Sequence, residues 1–251
     1  VSKMHLEKLN NKNTIIIIGR AHAGTRIIPD VLKASGIYIG EPLNKAHDLL
    51  PVDDIYAACR IFGKYVTYKG KHEWDFTNAH KAEIPQKFID HLTTYLKPLI
   101  DFKDKTVGWK IPNNTLIYPW LVRLLPNATY VLWYRHPEGA CKKMTGVDRL
   151  EKWNIPCKKF LLHEFNYRIR AVSWKYHVDI MQQTPKPKHH IELRFEDYVL
   201  NQDKEREKLE TVLGRSLKNV DLNPAKAIIN KNFYRRRYKF IRKAMDLLNY
   251  E

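Results

Sequence analysis

Cysteine is scarce in this chain of 251 residues, and the three thiols have no spacing typical of a metal site. Cys59, Cys141 and Cys157 are also an odd number, so a framework of paired disulfides is not expected. A domain of this length buries roughly 70–75% of its unfolded-chain surface and needs neither disulfides nor metal for stability. We therefore expect no structural zinc, a reducing compartment and, for a bacterial protein, the cytoplasm.

Long apolar runs are missing as well. No stretch approaches the roughly 18–20 apolar residues that a helix needs to span a bilayer, and residues 1–8 contain no apolar signal core. We expect neither an integral membrane segment nor a secretion signal in this chain. The polar segment 1–13 is predicted to be a flexible tail.

Acidic residues are few relative to basic ones. Lys and Arg number 44 against 27 Asp and Glu, which gives a formal net charge of +17. Such an excess favours a polyanionic partner, which can be nucleic acid, an anionic membrane surface or a multiply phosphorylated small molecule. No nucleic-acid-binding motif is recognisable, and we expect no nucleic-acid partner. A non-enzymatic module that binds another polyanion remains an alternative to an enzyme with an anionic substrate.

Short β-branched runs alternate with helical patterns along the chain. Residues 15–18, all isoleucine, are typical of a strand buried on both faces of a parallel sheet. This alternation predicts a single α/β domain over residues 1–251, a P-loop-like three-layer sandwich in which helices flank a mostly parallel sheet. Further strands are predicted at 37–39, 106–110, 129–134 and 190–195, and helices at 25–35, 85–99, 115–125 and 158–183.

The segment 19–26 connects the first predicted strand to the first of these helices. Its glycines, Gly19 and Gly24, are separated by four residues, as in loops whose amide groups and following helix bind a phosphate. A kinase or NTPase loop would continue with Gly-Lys-Ser/Thr. Here Thr25 stands at the Lys position and Arg26 at the position of the hydroxyl that holds Mg²⁺. The loop is thus predicted to bind an anion without a metal, and a P-loop-type kinase or NTPase is the weaker alternative.

Four segments, in order, resemble the nucleotide-dependent sulfotransferases of the glycan-modifying type. Residues 22–26 resemble the family's Lys-Gly-Gly-Thr-Arg loop, and residues 108–112 resemble its Lys-x-Pro turn. Residues 130–137 resemble a strand that ends in Arg-Asn-Pro, and residues 193–198 resemble a late strand of the family. The resemblance covers about residues 14–200. It implies 3′-phosphoadenosine-5′-phosphosulfate (PAPS) as the sulfuryl donor, 3′-phosphoadenosine 5′-phosphate (PAP) as a product, and no metal.

The resemblance also implies roles for individual residues. Arg135 would grip the 3′-phosphate of the donor, and Lys143, which stands where the family has Ser, would bind the donor as a point charge. His22, in place of the family's loop Lys, and Lys110 would stabilise the charge that develops on the leaving oxygen. The remaining donor-binding residues implied by the loop are Arg20, Ala21, Ala23, Gly24, Thr25 and Arg26.

The acceptor needs a base, and the resemblance implies Glu41, because glycan-type relatives carry a Glu just after the second strand. His47 and Asp48 lie close by in the sequence and remain alternatives. Relatives that act on phenols and steroids use a His after the Lys-x-Pro turn, where this chain has asparagines. The acceptor is expected to be a hydroxyl compound or an amine, with a carbohydrate favoured and a lipid or phenol left open. The irregular, aromatic segment 44–80 is predicted to be an insertion on the acceptor side, and the basic run 235–237 is a candidate for the family's C-terminal loop.

Overall fold

The computed structural model describes residues 2–158, 166–229 and 232–250. The strands are β1 (Asn13–Ile18), β2 (Thr67–Gly70), β3 (Glu73–Asp75), β4 (Thr106–Lys110), β5 (Thr129–Tyr134) and β6 (His190–Arg194). The first helices are α1 (Ser2–Asn10), α2 (Ile27–Ala34), α3 (Asp53–Gly63), α4 (Thr77–Lys81), α5 (Gln86–Asp101) and α6 (Tyr118–Leu124). The later ones are α7 (Pro137–Ala140), α8 (Asn166–Gln183), α9 (Phe195–Leu200), α10 (Gln202–Leu213), α11 (Phe233–Arg237) and α12 (Arg242–Leu247).

The central sheet has the order β4-β1-β5-β6, and all of its strand pairs are parallel. In its middle, Ile16 of β1 pairs with Trp109 on one side and Tyr130 on the other. The second predicted strand, residues 37–39, is reduced to a single bridge between Tyr38 and Val107 at the outer edge of β4. Glycines at positions 36 and 40, both with positive φ, bracket this segment and leave no length for a longer ladder.

Two hydrophobic layers cover the two faces of this sheet. Ile16 and Ile18 point into the layer that contains side chains of α1, α3, α5, α6, α8 and α12, whereas Ile15 and Ile17 point into the layer of α2, α9 and α10. A strand whose alternate residues enter two cores must be apolar throughout, which is why β1 is a continuous isoleucine run. The predicted three-layer α/β fold is confirmed.

The amino-terminal segment differs from its prediction. Residues 2–10 form α1, whose Leu6 and Leu9 are buried against the core. Lys12 then donates a hydrogen bond to the carbonyl oxygen of Leu99 near the end of α5. Two leucines three residues apart give only one short apolar stripe, and the surrounding charges concealed it. Where a flexible tail was predicted over 1–13, the described residues 2–10 thus form a helix that packs on the core.

The segment 44–80 is more regular than expected, since it contains α3, the antiparallel β2–β3 hairpin and most of α4. Phe62, Trp74 and Phe76 from this segment are buried in the main core, so the segment is integral to the domain. The helix predicted at 158–183 is α8 from residue 166 onward, and residues 159–165 lie outside the described part. No helix of the described ranges is long and apolar enough to cross a membrane.

Candidate active site

The carboxyl ends of β1, β4 and β5 open onto a cleft of about 550 Å³. Parallel pairing brings the segments that follow these strands to the same edge of the sheet, where ligands of open α/β sheets bind. The loop after β1, the last residue of β4 (Lys110) and the residue after β5 (Arg135) all line the cleft. The loop contributes Ala21, His22, Gly24, Thr25 and Arg26.

Two residues of the loop have positive φ, His22 at 59° and Gly24 at 79°, so the backbone turns sharply at both positions. Gly24 is also required by space, because a Cβ at this position would lie 2.3 Å from the ring of Phe195. The amide of Ala23 donates to the Arg20 carbonyl oxygen, which tightens the turn. Directly after Thr25 and Arg26, α2 begins, so its positive N-terminal end faces the cleft beside the loop. Such a loop and helix can bind a phosphate or sulfate.

Arg20, predicted to bind the donor, turns its side chain away from the cleft. Its guanidinium is buried in an ion pair with Asp148 and also donates to the carbonyl oxygens of Ala21 and Ala140. The second carboxylate oxygen of Asp148 accepts from the amide of Thr145 at 2.7 Å. Because Thr145 lines the cleft, Arg20 is placed to fix the loop against the segment 145–148.

Arg135 lies where the loop meets the carboxy-terminal part of the cleft. Its guanidinium donates to the carbonyl oxygens of His22 (3.1 Å) and Lys226 (3.0 Å) and sits 3.8 Å from the centre of the Phe195 ring. Gly139 makes this position available, since a Cβ there would lie 2.4 Å from the Arg135 Nε atom. The guanidinium is thereby oriented on two sides before any ligand binds.

Lys110 is buried on the cleft floor, and its Nζ atom donates to the Asp48 carboxylate at 2.8 Å and to the Ala46 carbonyl oxygen at 2.9 Å. Burial lowers the pKa of Lys110, and the charge of Asp48 opposes this shift. Asp48 is held in turn by Asn44, whose amide nitrogen donates to its other oxygen at 3.0 Å. Lys110, a predicted catalytic residue, is thus paired with Asp48, which the sequence indicated only as an alternative to Glu41 as the base.

His22 and Lys143 stand where the family pattern has Lys and Ser. Burial, and then the positive charges of Arg20, Lys143 and Arg135, lower the pKa of His22. Because this shift lowers the pKa further below neutral pH, it favours the uncharged imidazole at pH 7. The Lys143 side chain is exposed and does not line the cleft, although its charge reaches His22.

The three candidate bases occupy different places. Glu41 is exposed and outside the cleft lining, whereas Asp48 lines the cleft. His47 is engaged with the carboxylate of Asp30 at 2.9 Å, and Asp30 is a cleft residue that the sequence did not indicate. The asparagine of the Lys-x-Pro region, Asn114, is fully buried and hydrogen-bonded to the strand backbone and to a tryptophan, so it has a structural role.

One wall of the cleft was missed by sequence reasoning. The segment 220–226 lines it, and the ring of Phe195 and the side chain of Val199 complete the wall. No local pattern marks 220–226, because contacts with residues distant in sequence, among them α9 and Arg135, bring it to the cleft. The basic run 235–237 does not line this cleft. Arg235 forms an ion pair with Asp246 at 2.7 Å, and Arg236 and Arg237 line a different pocket.

Among the described residues, no group of three or more His, Cys, Asp or Glu side chains is arranged to hold a metal ion. Residues 15–219 match the sequence model of the Sulfotransferase family. No curated protein sequence shows significant similarity to the chain.

Two solved structures share the fold at 14% sequence identity. One is the sulfotransferase domain from the curacin biosynthetic pathway, with a TM-score of 0.52 over 94% of this chain and 97% of that one. The other is the sulfotransferase domain from the Synechococcus PCC 7002 olefin synthase, with a TM-score of 0.54 over 96% of each chain. With the match of the family over residues 15–219, these findings establish that the chain belongs to the sulfotransferase family.

Proposed function

We propose that this protein transfers a sulfuryl group from PAPS to a hydroxyl, or an amine, of an acceptor, with a carbohydrate as the favoured acceptor class. The observation that carries the proposal is the meeting of a phosphate-type loop, Arg135 and Lys110 in one cleft of a sulfotransferase-family chain. Each of these groups suits a different part of a donor that is anionic at both ends.

The positive charge of the cleft supports an anionic donor. We assign the phosphosulfate to the loop amides of residues 22–26 and the first turn of α2, which favour anions. We assign the 3′-phosphate to Arg135, whose planar guanidinium suits a phosphate. Arg26 and Lys226 add positive charge on the same cleft. No hydroxyl stands at the position that holds Mg²⁺ in kinases, so binding is proposed to need no metal.

The transfer itself breaks the bond between sulfur and the bridging oxygen of PAPS and forms a bond from sulfur to the acceptor oxygen. Negative charge develops on the bridging oxygen, which leaves as part of PAP. Lys110 and the loop amides would stabilise that charge, as in phosphoryl transfer, where positioning and electrostatics supply most of the rate enhancement. His22, being neutral, would contribute a hydrogen bond.

The acceptor proton needs a base, and we propose Asp48 in preference to Glu41. Asp48 lies in the cleft, 2.8 Å from the Lys110 nitrogen, whereas the Glu41 side chain is exposed outside it. A base must come within roughly 2.6–3.2 Å of the proton that it removes, directly or through one water. An acceptor oxygen next to Lys110 would satisfy this condition for Asp48.

Donor binding tests the proposal most directly. A ligand present at a hundred times its dissociation constant stabilises the folded state by about 2.7 kcal/mol, so PAP without metal should raise the unfolding temperature clearly. Protection by ATP with Mg²⁺, and none by PAP, would instead support the kinase or NTPase alternative. Transfer of labelled sulfate from PAPS to a panel of carbohydrate, phenolic and lipid acceptors would then identify the acceptor class.

A further inference from the structure

A second pocket, of about 770 Å³, shares no lining residue with the donor cleft. It lies between the turn of the β2–β3 hairpin, the first turn of α8 and residues 236–240. Its cations are Lys71, Lys158, Arg168, Arg236, Arg237 and Lys239, and its rings are Tyr68, His72, Tyr238 and Phe240.

The described residues that line this pocket include six cations and no carboxylate. The acidic residue next to the hairpin turn, Glu73, forms an ion pair with Lys175 at 3.1 Å. Like charges held together in a concave surface repel one another and attract anions. Within the described ranges, five exposed lining cations form no ion pair with a carboxylate: Lys71, Lys158, Arg236, Arg237 and Lys239.

The aromatic and imidazole rings of the pocket are buried or partly buried, whereas most of its cations are exposed. His72 is buried, its ring centre lies 4.4 Å from that of Phe240, and its Nε2 atom is 3.3 Å from Arg168. Burial, and then the nearby positive charges led by Arg168, lower the pKa of His72 to about 4. The imidazole is therefore neutral at pH 7. An uncharged ring floor with a cationic rim suits a ligand that carries anionic groups on a ring.

Helix α8 connects this pocket to the donor cleft. Arg168 in the pocket and Trp174 lie six residues apart on α8, which is about 9 Å of helix rise. The Trp174 indole donates to the carbonyl oxygen of Arg135 at 2.9 Å, directly behind the cleft. The pocket and the backbone behind the cleft are thus joined by less than two turns of one helix.

We propose that this pocket binds the carboxylate or sulfate groups of an acidic oligosaccharide, whose hydroxyl receives the sulfuryl group in the donor cleft. The role as acceptor rests on the function proposed above, whereas the binding of the anionic chain does not. An acidic oligosaccharide supplies hydroxyls, ring faces and anionic groups together, and a concave pocket suits it better than a flat membrane surface.

The test uses a heparin-derived octasaccharide as probe and the full chain. Variant K71Q/R236Q/K239Q removes three charges from the pocket, and K33Q/K87Q/K103Q removes three from exposed lysines elsewhere. Titration should show a loss of affinity of about tenfold or more for the pocket variant only, because several charge contacts are lost together. Equal weakening in both triple variants, or in neither, would overturn the proposal.

Two further measurements separate the alternatives. PAP binding should be unchanged in both triple variants; its absence in the unaltered protein would refute the donor assignment but leave the result with the octasaccharide standing. A single-stranded oligonucleotide of equal charge that binds as tightly, and loses affinity equally in the pocket variant, would show a nucleic-acid site instead. With an acidic acceptor, the pocket variant should raise KM and leave kcat nearly unchanged.

Discussion

The buried ion pair of Arg20 and Asp148 connects the phosphate-type loop to the segment 145–148. Its removal should lower the free energy of unfolding far more than the removal of an exposed ion pair. The side chains of the two residues are 3% and 0% exposed. Asp148→Asn keeps the size of the side chain but removes the charge opposite the guanidinium. It also weakens the acceptor for the amide of Thr145.

The cost follows from leaving a buried cation without its partner, which is typically about 3–5 kcal/mol. With an unfolding entropy of about 2.1 cal/mol/K per residue, a domain of this size changes its unfolding temperature by roughly 2 °C per kcal/mol. Asp148→Asn should therefore lower the unfolding temperature by roughly 6–10 °C. The exposed pair of Lys97 and Asp101 is the control, because exposed pairs contribute under about 1 kcal/mol.

Differential scanning calorimetry of the Asp148→Asn and Asp101→Asn variants, at equal ionic strength, measures both effects. PAP binding by the folded fraction would then report whether the loop has lost its shape. If the two variants lowered the unfolding temperature equally, the ion pair would not anchor the loop, and Arg20 would be free to serve as a donor-binding residue.

Three further outcomes are expected. Arg135→Ala should weaken PAP binding by roughly tenfold to a hundredfold, through lost charge-assisted hydrogen bonds, and equal weakening for an analogue without the 3′-phosphate would refute the assignment. Asp48→Asn should lower turnover at least a hundredfold with little change in PAP affinity, and a larger loss in Glu41→Gln would identify that residue as the base. His177 is buried, and its burial lowers its pKa to about 4, against about 6.5 in an unfolded chain. The unfolded state therefore binds more protons over this interval, so stability should fall as the pH drops from about 6.5 to 4, and His177→Gln should flatten that slope in urea titrations.

The parts of the fold that were predictable are those that local chemistry determines. The isoleucine run of β1 needs two apolar layers, and the glycines of the following loop need a tight turn before a helix. Both features depend on neighbours within a dozen residues, so the loop and the parallel sheet were recognisable. Lys110 and Arg135 were indicated by the resemblance to the sulfotransferases, and in the structure both stand at the carboxyl ends of parallel strands.

The remaining parts depend on contacts between residues far apart in the sequence. Asp48 reaches the cleft because its backbone pairs with Lys110, 62 residues later. The guanidinium of Arg20 is turned inward by Asp148, which is 128 residues away. The sequence shows that an arginine follows Gly19, but it does not show which way the side chain points. That direction depends on the position of a distant carboxylate.

Position 139 allows a substitution that would move the Arg135 side chain without changing the charge of the protein. Gly139 lies in a helical turn, a conformation open to alanine, and the atoms nearest to an added methyl group would be those of the Arg135 guanidinium. A single added methyl group would thus displace the Arg135 side chain, proposed above to hold the 3′-phosphate, without removing any charge from the protein. Such a variant would separate the geometry of the site from its electrostatic potential, which charge-removing substitutions change together.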